Sequence, residues 1–267
     1  MPSLSLASGA KVAYGDAGEG AALVLVHGSP AEGRAWGRVA RHLASFRVLT
    51  PDLPGYGGSD PLANGAGTAA MAEAVAAVID VAAGAGTVWL AGHSYGANVA
   101  LHAALARRER IRGLVLFEPV FFRGLALAGE VAALEPARAH FADYVRRVEG
   151  GDNGAVSRMI DFWFGAGAFP GLPAAVQGYL VKSAERNAAD VRAALSETVD
   201  AESLAAFAAP TLIAYGGGSP ATVPAIARAL AGLLPDSRTE AIPGATHAML
   251  DTHPEAVAAL IGLVAMR

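Results

Sequence analysis

Apolar positions in this chain fall into short continuous runs, and the segments between them show helical spacing. The runs are "AALVLVHG" (Ala21 to Gly28), "RVLTPD" (Arg47 to Asp52), "TVWLAG" (Thr87 to Gly92), "IRGLVLFEP" (Ile111 to Pro119) and "PTLIAYG" (Pro210 to Gly216), and the more polar "RTEAIPG" (Arg238 to Gly244) reads as one further strand in the same alternation. An unbroken apolar run of this length suits a parallel strand buried on both faces. Helical spacing covers Ala35–Ser45, Thr68–Ala83, Ala97–Arg108, Val223–Leu234 and Pro254–Ala265. At the start, Leu4–Ser8 and Lys11–Asp16 read as a hairpin turning at Ser8-Gly9. Such alternation predicts an α/β fold, a mostly parallel, doubly wound sheet with helices on both faces. The alternation stops after Pro119. Helical patterns alone follow, at Leu134–Glu149, Asn153–Phe164, Ala174–Arg186 and Val191–Thr198. We therefore expect a core built from residues 1–119 and 202–267, with a helical insertion over 120–201.

Composition narrows the function classes. With 267 residues, 53% of them hydrophobic, the chain can bury a sizeable core. Charged residues make up 16%, the formal net charge is −4, and both signs are mixed along the chain, so nothing favours nucleic acid as a partner. There are no cysteines, which excludes disulfides, thiolate metal sites and a cysteine nucleophile. The N-terminal residues lack a basic segment followed by an apolar one, and Gly, Pro or charges interrupt every apolar run. These features lead us to expect a cytoplasmic protein with a small-molecule substrate and no membrane partner. Oligomeric state is left open.

One hydroxyl stands in an unusual setting. Gly92-His93-Ser94-Tyr95-Gly96 is G-x-S-x-G between a predicted strand and a predicted helix, the context of a nucleophile elbow. A sharp turn there lifts the serine clear of the sheet, and side chains two positions away on either side would collide, hence glycine at both. Upstream, "VLVHGSP" ends the first central strand at His27-Gly28, and the loop after it is placed to supply an oxyanion-hole amide from Ser29, with Tyr95 supplying the second. "DLPGYGGSD" (Asp52 to Asp60) ends the next strand. An HG-x-P loop, a D-x-P-G-x-G-x-S loop and a G-x-S-x-G elbow, in that order, resemble the α/β-hydrolase fold family. The resemblance covers nearly the whole chain, and the insertion matches that family's cap domain. It specifies the fold far better than the substrate, because this fold hosts many chemistries.

The resemblance implies a histidine after the last strand, and "AIPGATHAML" places His247 there. Of the other histidines, His27 and His93 flank motif residues, His42, His102 and His140 lie on helical patterns, and His253 precedes Pro254 at the start of the last helix. The family usually carries its triad acid in the loop after the strand "PTLIAYG". Here that loop reads "YGGGSPATVP", with Ser219 where the aspartate would be and no carboxylate between Thr211 and Pro235. Either the acid has moved, or the triad is a dyad, or the protein is not catalytic. A candidate for the moved acid is Glu118, at the end of "LVLFE", where some branches of the family, many haloalkane dehalogenases among them, carry theirs. The competing reading turns Glu118 to solvent or to a helix terminus. Asp251 reads as a cap residue of the last helix.

The stretch "GAGTAA" (Gly65 to Ala70) matches G-x-G-x-x-A, but no strand leads into it, so dinucleotide binding is rejected. There is no P-loop, no H-E-x-x-H and no metal-ligand spacing of histidines, and we expect neither metal nor cofactor. The insertion is rich in aromatics, of which Phe121, Phe122, Phe162 and Trp163 are candidates to line a substrate pocket. Arg123 and Lys182 could meet a substrate carboxylate but read better as surface residues. The leading function is a serine hydrolase acting on an ester or similar acyl bond of a small, largely apolar substrate. Carbon–carbon bond hydrolysis with the same residues, or ligand binding without catalysis, stand as alternatives. Aspartate, not serine, would be expected at the elbow of a dehalogenase or epoxide hydrolase.

Overall fold

The computed structural model describes residues 1–63 and 66–266. Within them, β1 (Ser3–Ser5), β2 (Lys11–Ala17), β3 (Ala21–Val26), β4 (Phe46–Pro51), β5 (Val88–His93), β6 (Ile111–Phe117), β7 (Thr211–Gly216) and β8 (Ser237–Ile242) form one sheet in the order β1-β2-β4-β3-β5-β6-β7-β8. β1 and β2 run antiparallel to their neighbours, and from β4 onward every pairing is parallel. The helices are α1 (Gly37–Ala40), α2 (Thr68–Ala83), α3 (Tyr95–Ala106), α4 (Phe122–Leu127), α5 (Val131–Glu149), α6 (Val156–Phe164), α7 (Ala174–Lys182), α8 (Ala184–Leu195), α9 (Ala201–Ala205), α10 (Thr222–Ala231), α11 (Met249–Thr252) and α12 (Pro254–Ala265). None is long and apolar enough to cross a membrane.

Alternation along each strand divides the core in two. Leu23 and Leu25 of β3, with Val115 and Phe117 of β6, pack under Val39 of α1 and Val257 and Ile261 of α12. Val24 and Val26, with Leu114 and Leu116, face Val75 and Ile79 of α2 and Val99 and Ala100 of α3. Side chains on a strand point alternately to opposite faces, so a run apolar at every position is what a two-sided sheet requires. The helices between β6 and β7 lie over the second face, where Phe141, Tyr144 and Trp163 join the same buried cluster as α2 and α3.

Several elements differ from the sequence reading. The helix expected over Ala35–Ser45 is a 3₁₀ turn (Gly33–Trp36) followed by the single turn α1. Trp36, Val39 and Leu43 are all buried, which produces the helical spacing, but after Ala40 the chain reaches β4 through successive tight turns. α4 and α9 are short and carry no periodic signal of their own. The two helices expected at Ala174–Arg186 and Val191–Thr198 are α7 and α8, which meet at Ser183. Asn187 and Asp190, which fall between the two expected helices, are therefore helical and buried. The "GAGTAA" stretch begins at Gly65, outside the described residues; Thr68 to Ala70 open α2.

A buried carboxylate fastens the end of α8 to α2 and α3. The Glu197 side chain is fully buried beyond the end of α8, in hydrogen-bond contact with His102 of α3. It also accepts from Asn98 Nδ2 at 3.0 Å and Thr68 Oγ1 at 3.2 Å. Asn98 Nδ2 donates its other hydrogen to the Val120 carbonyl at 3.1 Å, just after β6. Leaving such buried hydrogen-bonding groups without their partner typically costs about 1–3 kcal/mol. Glu197→Ala should lower unfolding stability by about that amount and expose the 120–201 region to limited proteolysis before the sheet unfolds. A denaturation midpoint equal to wild type would remove Glu197 as the fastening point.

Candidate active site

The elbow is built from close approaches. A Cβ on Gly92 would sit 2.4 Å from the Gly96 carbonyl oxygen, and one on Gly96 would sit 2.1 Å from that of His27. Only glycine fits at either place. Ser94 takes φ +56°, a left-handed backbone, and its amide continues the sheet ladder by donating to the Phe117 carbonyl at 2.9 Å. Glu118, one residue past β6, takes φ +46° and donates its amide to the Ala214 carbonyl at 2.8 Å. Among the described residues these are the two non-glycines with positive φ. Each such position costs on the order of 1–2 kcal/mol, and strain of this kind concentrates at functional sites.

Three side chains from three strand ends meet at the carboxyl edge of the sheet. The Ser94 hydroxyl lies 3.0 Å from His247 Nε2, and His247 Nδ1 lies 2.6 Å from Glu118 Oε2. Glu118 is fully buried. Its second oxygen, Oε1, accepts from the Gly216 amide at 2.7 Å and the Ser219 hydroxyl at 2.5 Å. Burial alone would push this carboxyl up, but hydrogen bonding to His247 and its charge, with Ser219 and Gly216, hold it below the usual glutamate value. The carboxylate faces neither solvent nor a helix terminus. The loop that lacks an acid thus supplies two donors to the acid on β6. His253 is held at the start of α12 against Thr252 Oγ1, and Asp251 is exposed and paired with Arg38.

The loops around Ser94 are set by two more buried groups. His27 Nδ1 donates to the Gly28 carbonyl at 2.8 Å, and its Nε2 accepts from the Leu53 amide at 2.8 Å. Asp52 accepts from the Gly33 and Gly58 amides, each at 2.8 Å, which draws the "DLPGYGGSD" loop into shape. A Cβ on Gly28 would lie 3.0 Å from Ser94 Cβ, so the loop carrying Ser29 passes in contact with the serine. Tyr95 is the first residue of α3, and a helix's first amides have no intrahelical acceptor. The N-terminus of α3 therefore presents free donors and the positive end of its dipole beside the Ser94 hydroxyl.

Ser94 opens on two cavities. The larger, of about 290 Å³, is lined by Pro30, Ile160, Phe164, Leu180, Leu250 and His247, among others. The smaller, of about 30 Å³, is lined by Tyr95, Val120, Phe122, Phe141, Asn187 and Asp190, among others. Ser29 and Trp163 line both. Trp163 lies flat on the His247 ring, with centroids 4.4 Å apart and planes at 15°. Asp161 steadies that end of α6 by accepting from the Gly167 and Phe169 amides.

Two of the pocket aromatics expected from sequence line neither cavity. Phe121 is fully buried in the core, because the chain turns at Val120–Phe122 so that its neighbours face Ser94 and it does not. Phe162 is about 100° around α6 from Trp163; it packs on His140 and Phe141 of α5. Arg123 binds the Val199 carbonyl, Lys182 is exposed, and neither lines these cavities.

The sequence reading missed a polar chain at the inner cavity. Tyr144 OH donates to Asn187 Oδ1 at 2.7 Å, Asn187 Nδ2 to Ser29 Oγ at 2.9 Å, and Tyr56 OH to Asp190 Oδ2 at 2.5 Å, while Ser29 Oγ lies 2.9 Å from Tyr56 OH. Burial pushes the Asp190 carboxyl up to about 6, against the pull of the Tyr56 and Ser29 hydroxyls and the Arg186 charge. The signal in the sequence was the spacing of Asn187, Asp190, Val191 and Ala194, one helical face mixing polar and apolar residues.

A profile of the alpha/beta hydrolase family matches residues 23–260. The chain belongs to that family. Among curated relatives it is 31% identical over 241 residues to a pimeloyl-[acyl-carrier protein] methyl ester esterase of Edwardsiella ictaluri, covering 87% of this chain and 88% of that one. It is 41% identical over 106 residues to Lipase LipV of Mycobacterium tuberculosis, a match spanning 40% of each chain. Among solved structures, an esterase from Thermogutta terrifontis superposes with a TM-score of 0.73 at 24% identity over 100% of this chain and 98% of that one, a likeness of fold.

Two buried histidines make the fold acid-sensitive. Burial holds His27 down to about 4 and, with the neighbouring His247, His93 down to about 3, against an ordinary value of 6.5. Below that ordinary value the unfolded chain takes up protons that the folded one refuses. Stability from these groups is complete above pH 6.5 and is lost as pH falls toward their folded values, at up to about 1.4 kcal/mol per pH unit for each. Unfolding free energy measured from pH 7 to 4 should fall steeply, and less steeply in His27→Gln, which does not titrate. Parallel slopes in the two proteins would contradict a neutral, buried His27.

Proposed function

We propose that this chain is a serine hydrolase that cleaves a carboxylic ester, or a similar acyl bond, of a small and largely apolar substrate. The observation that carries this reading is the unbroken hydrogen-bond line from Ser94 Oγ through His247 to Glu118, at 3.0 and 2.6 Å. Glu118 accepts the Nδ1 hydrogen and so leaves Nε2 with a lone pair facing the serine. Ser94 loses its proton to Nε2 as its oxygen bonds to the substrate carbonyl carbon. The amides of Ser29 and Tyr95 stabilise the resulting oxyanion. His247 then returns the proton to the departing alcohol oxygen as the carbon–oxygen bond breaks, leaving an acyl-Ser94. Water, activated by the same imidazole, releases the acid and restores the serine. Residues 120–201 act as the cap, with Trp163 and Phe164 roofing the histidine. The hydrogen bonds that fix Glu118 favour this reading over ligand binding without catalysis, and the esterase and lipase among the relatives agree with it.

Replacing Ser94 or His247 with alanine should each abolish ester turnover, on the order of a millionfold by comparison with other serine hydrolases. His253→Ala should keep near-normal kcat/KM. Fluorophosphonate labelling should reach Ser94 in wild type and fail in Ser94→Ala. Turnover by Ser94→Ala near the wild-type rate would overturn the mechanism.

Glu118→Gln should lower kcat by about ten thousandfold, because the amide favours the wrong imidazole tautomer. Ser219→Asp alone should also impair turnover, since it sets a second carboxylate where the Ser219 hydroxyl now lies 2.5 Å from Glu118 Oε1. Combined with Glu118→Gln, the same change should recover tenfold to a hundredfold, roughly the effect of a slightly misplaced orienting group. Full activity in Glu118→Gln would remove Glu118 from the triad.

A further inference from the structure

The two cavities at Ser94 differ in size, and their walls assign them different halves of the substrate. This assignment rests on the serine-hydrolase reading. The departing alcohol must take its proton from His247 Nε2, so it has to lie on the histidine side. His247 lines the cavity of about 290 Å³ and is not part of the wall of the small one. The alcohol half therefore occupies the large apolar chamber, and the acyl half points into the cavity of about 30 Å³ behind Tyr95. A space of that size takes a group of about two or three non-hydrogen atoms. A long acyl chain does not fit.

The small cavity has a polar end. Asp190, 2% exposed, lies in its wall beside Asn187, while Val120, Phe122 and Phe141 supply the apolar surface. Hydrogens in the surrounding chain all run toward Asp190. Tyr144 donates to Asn187, Asn187 to Ser29, and Tyr56 to Asp190. Tyr56 has spent its one hydrogen, so the Ser29 hydroxyl is the donor of the next step, its single hydrogen shared between the Tyr56 oxygen and Asp190 itself. The chain ends on a carboxylate, which has only acceptor capacity to offer. Among the described residues no cation is in ion-pair contact with Asp190; the neighbouring Arg186 is engaged by the Pro54 carbonyl at 3.1 Å and lies over the Tyr56 ring. A buried carboxylate facing a space beside the reacting serine is stabilised by a ligand that brings a donor.

We propose that Asp190 ends the acyl subsite and selects a short acyl group bearing a hydrogen-bond donor on its α-carbon, a 2-hydroxyacyl or 2-aminoacyl ester of a larger apolar alcohol. The common chemistry is the donor. Hydroxyl and ammonium are its two sources.

Benzyl glycolate, benzyl glycinate and benzyl propionate test this on the full chain. They share an alcohol, and their acyl groups are nearly isosteric. We measure kcat/KM for each and divide by the ester's own alkaline hydrolysis rate, which removes intrinsic reactivity. Wild type should prefer glycolate or glycinate over propionate by at least about tenfold, the usual scale for a hydrogen bond to a buried charge. Which of the two is preferred separates hydroxyl from ammonium. Asp190→Asn keeps the size and an acceptor for Tyr56 but turns an amide donor toward the cavity. It should lower the donor-to-propionate ratio at least about tenfold again. Equal normalised rates for all three esters in wild type overturn the proposal, and so does an unchanged ratio in Asp190→Asn. The wild-type comparison stands by itself if the variant fails to fold. Labelling of Ser94 by a fluorophosphonate without turnover of any of the three esters overturns the short-acyl assignment while leaving the hydrolase reading intact. Neither labelling nor turnover overturns both.

Discussion

The arrangement depends on a carboxylate with no water around it. Glu118 is fully buried at the end of β6, and an ionised carboxyl in such a place persists only if its oxygens are occupied. They are, by His247 after β8, by Gly216 at the end of β7 and by Ser219 after it. One side chain thus draws together the carboxyl ends of three neighbouring strands. The left-handed backbone at Glu118 aims it there, and the strain is sustained by the amide bond to Ala214 on the adjoining strand.

This also accounts for the unusual loop after β7. A carboxylate at Ser219 would stand against Glu118, two like charges within hydrogen-bond distance. A hydroxyl there does the opposite and donates to it. The missing aspartate and the buried glutamate are one feature seen from two strands. Gly216 belongs to the same arrangement, because a Cβ on it would lie 2.4 Å from the Ala245 carbonyl and push the loop off the acid.

Much of this was legible in the sequence. Continuous apolar runs marked the buried strands, because a two-sided sheet leaves no polar positions. Glycines at 92 and 96 marked the elbow, because nothing larger fits there. Ser94, His247 and Glu118 could be named in advance, and they meet. What stayed hidden depends on orientation across space. Phe121 and Phe162 were chosen for being aromatic, while the turn at Val120–Phe122 and the face of α6 decide which rings reach the serine. Asn187 and Asp190 fall between two expected helices and drew no assignment, because polar residues normally mark surface, and only the packing of α8 over the inner cavity reveals them as buried. The boundary at Ser183 was lost for a related reason: no glycine or proline separates α7 from α8.

The register between β5 and β6 has a mechanical consequence. His93 pairs with Phe117, so Ser94 and Glu118 are the residues immediately past the ends of two adjacent parallel strands. Their separation is governed by the spacing of hydrogen-bonded strands, about 4.8 Å, which is among the stiffest distances in a protein. Only His247 rides on a loop. Of the three side chains that meet, two follow adjoining strands and one stands on a loop, packed against the Trp163 indole and the His93 ring with Phe164 at its edge. The softest coordinate of this arrangement is therefore the tilt of the imidazole, and residues 120–201, through Trp163 and Phe164, bear directly on it.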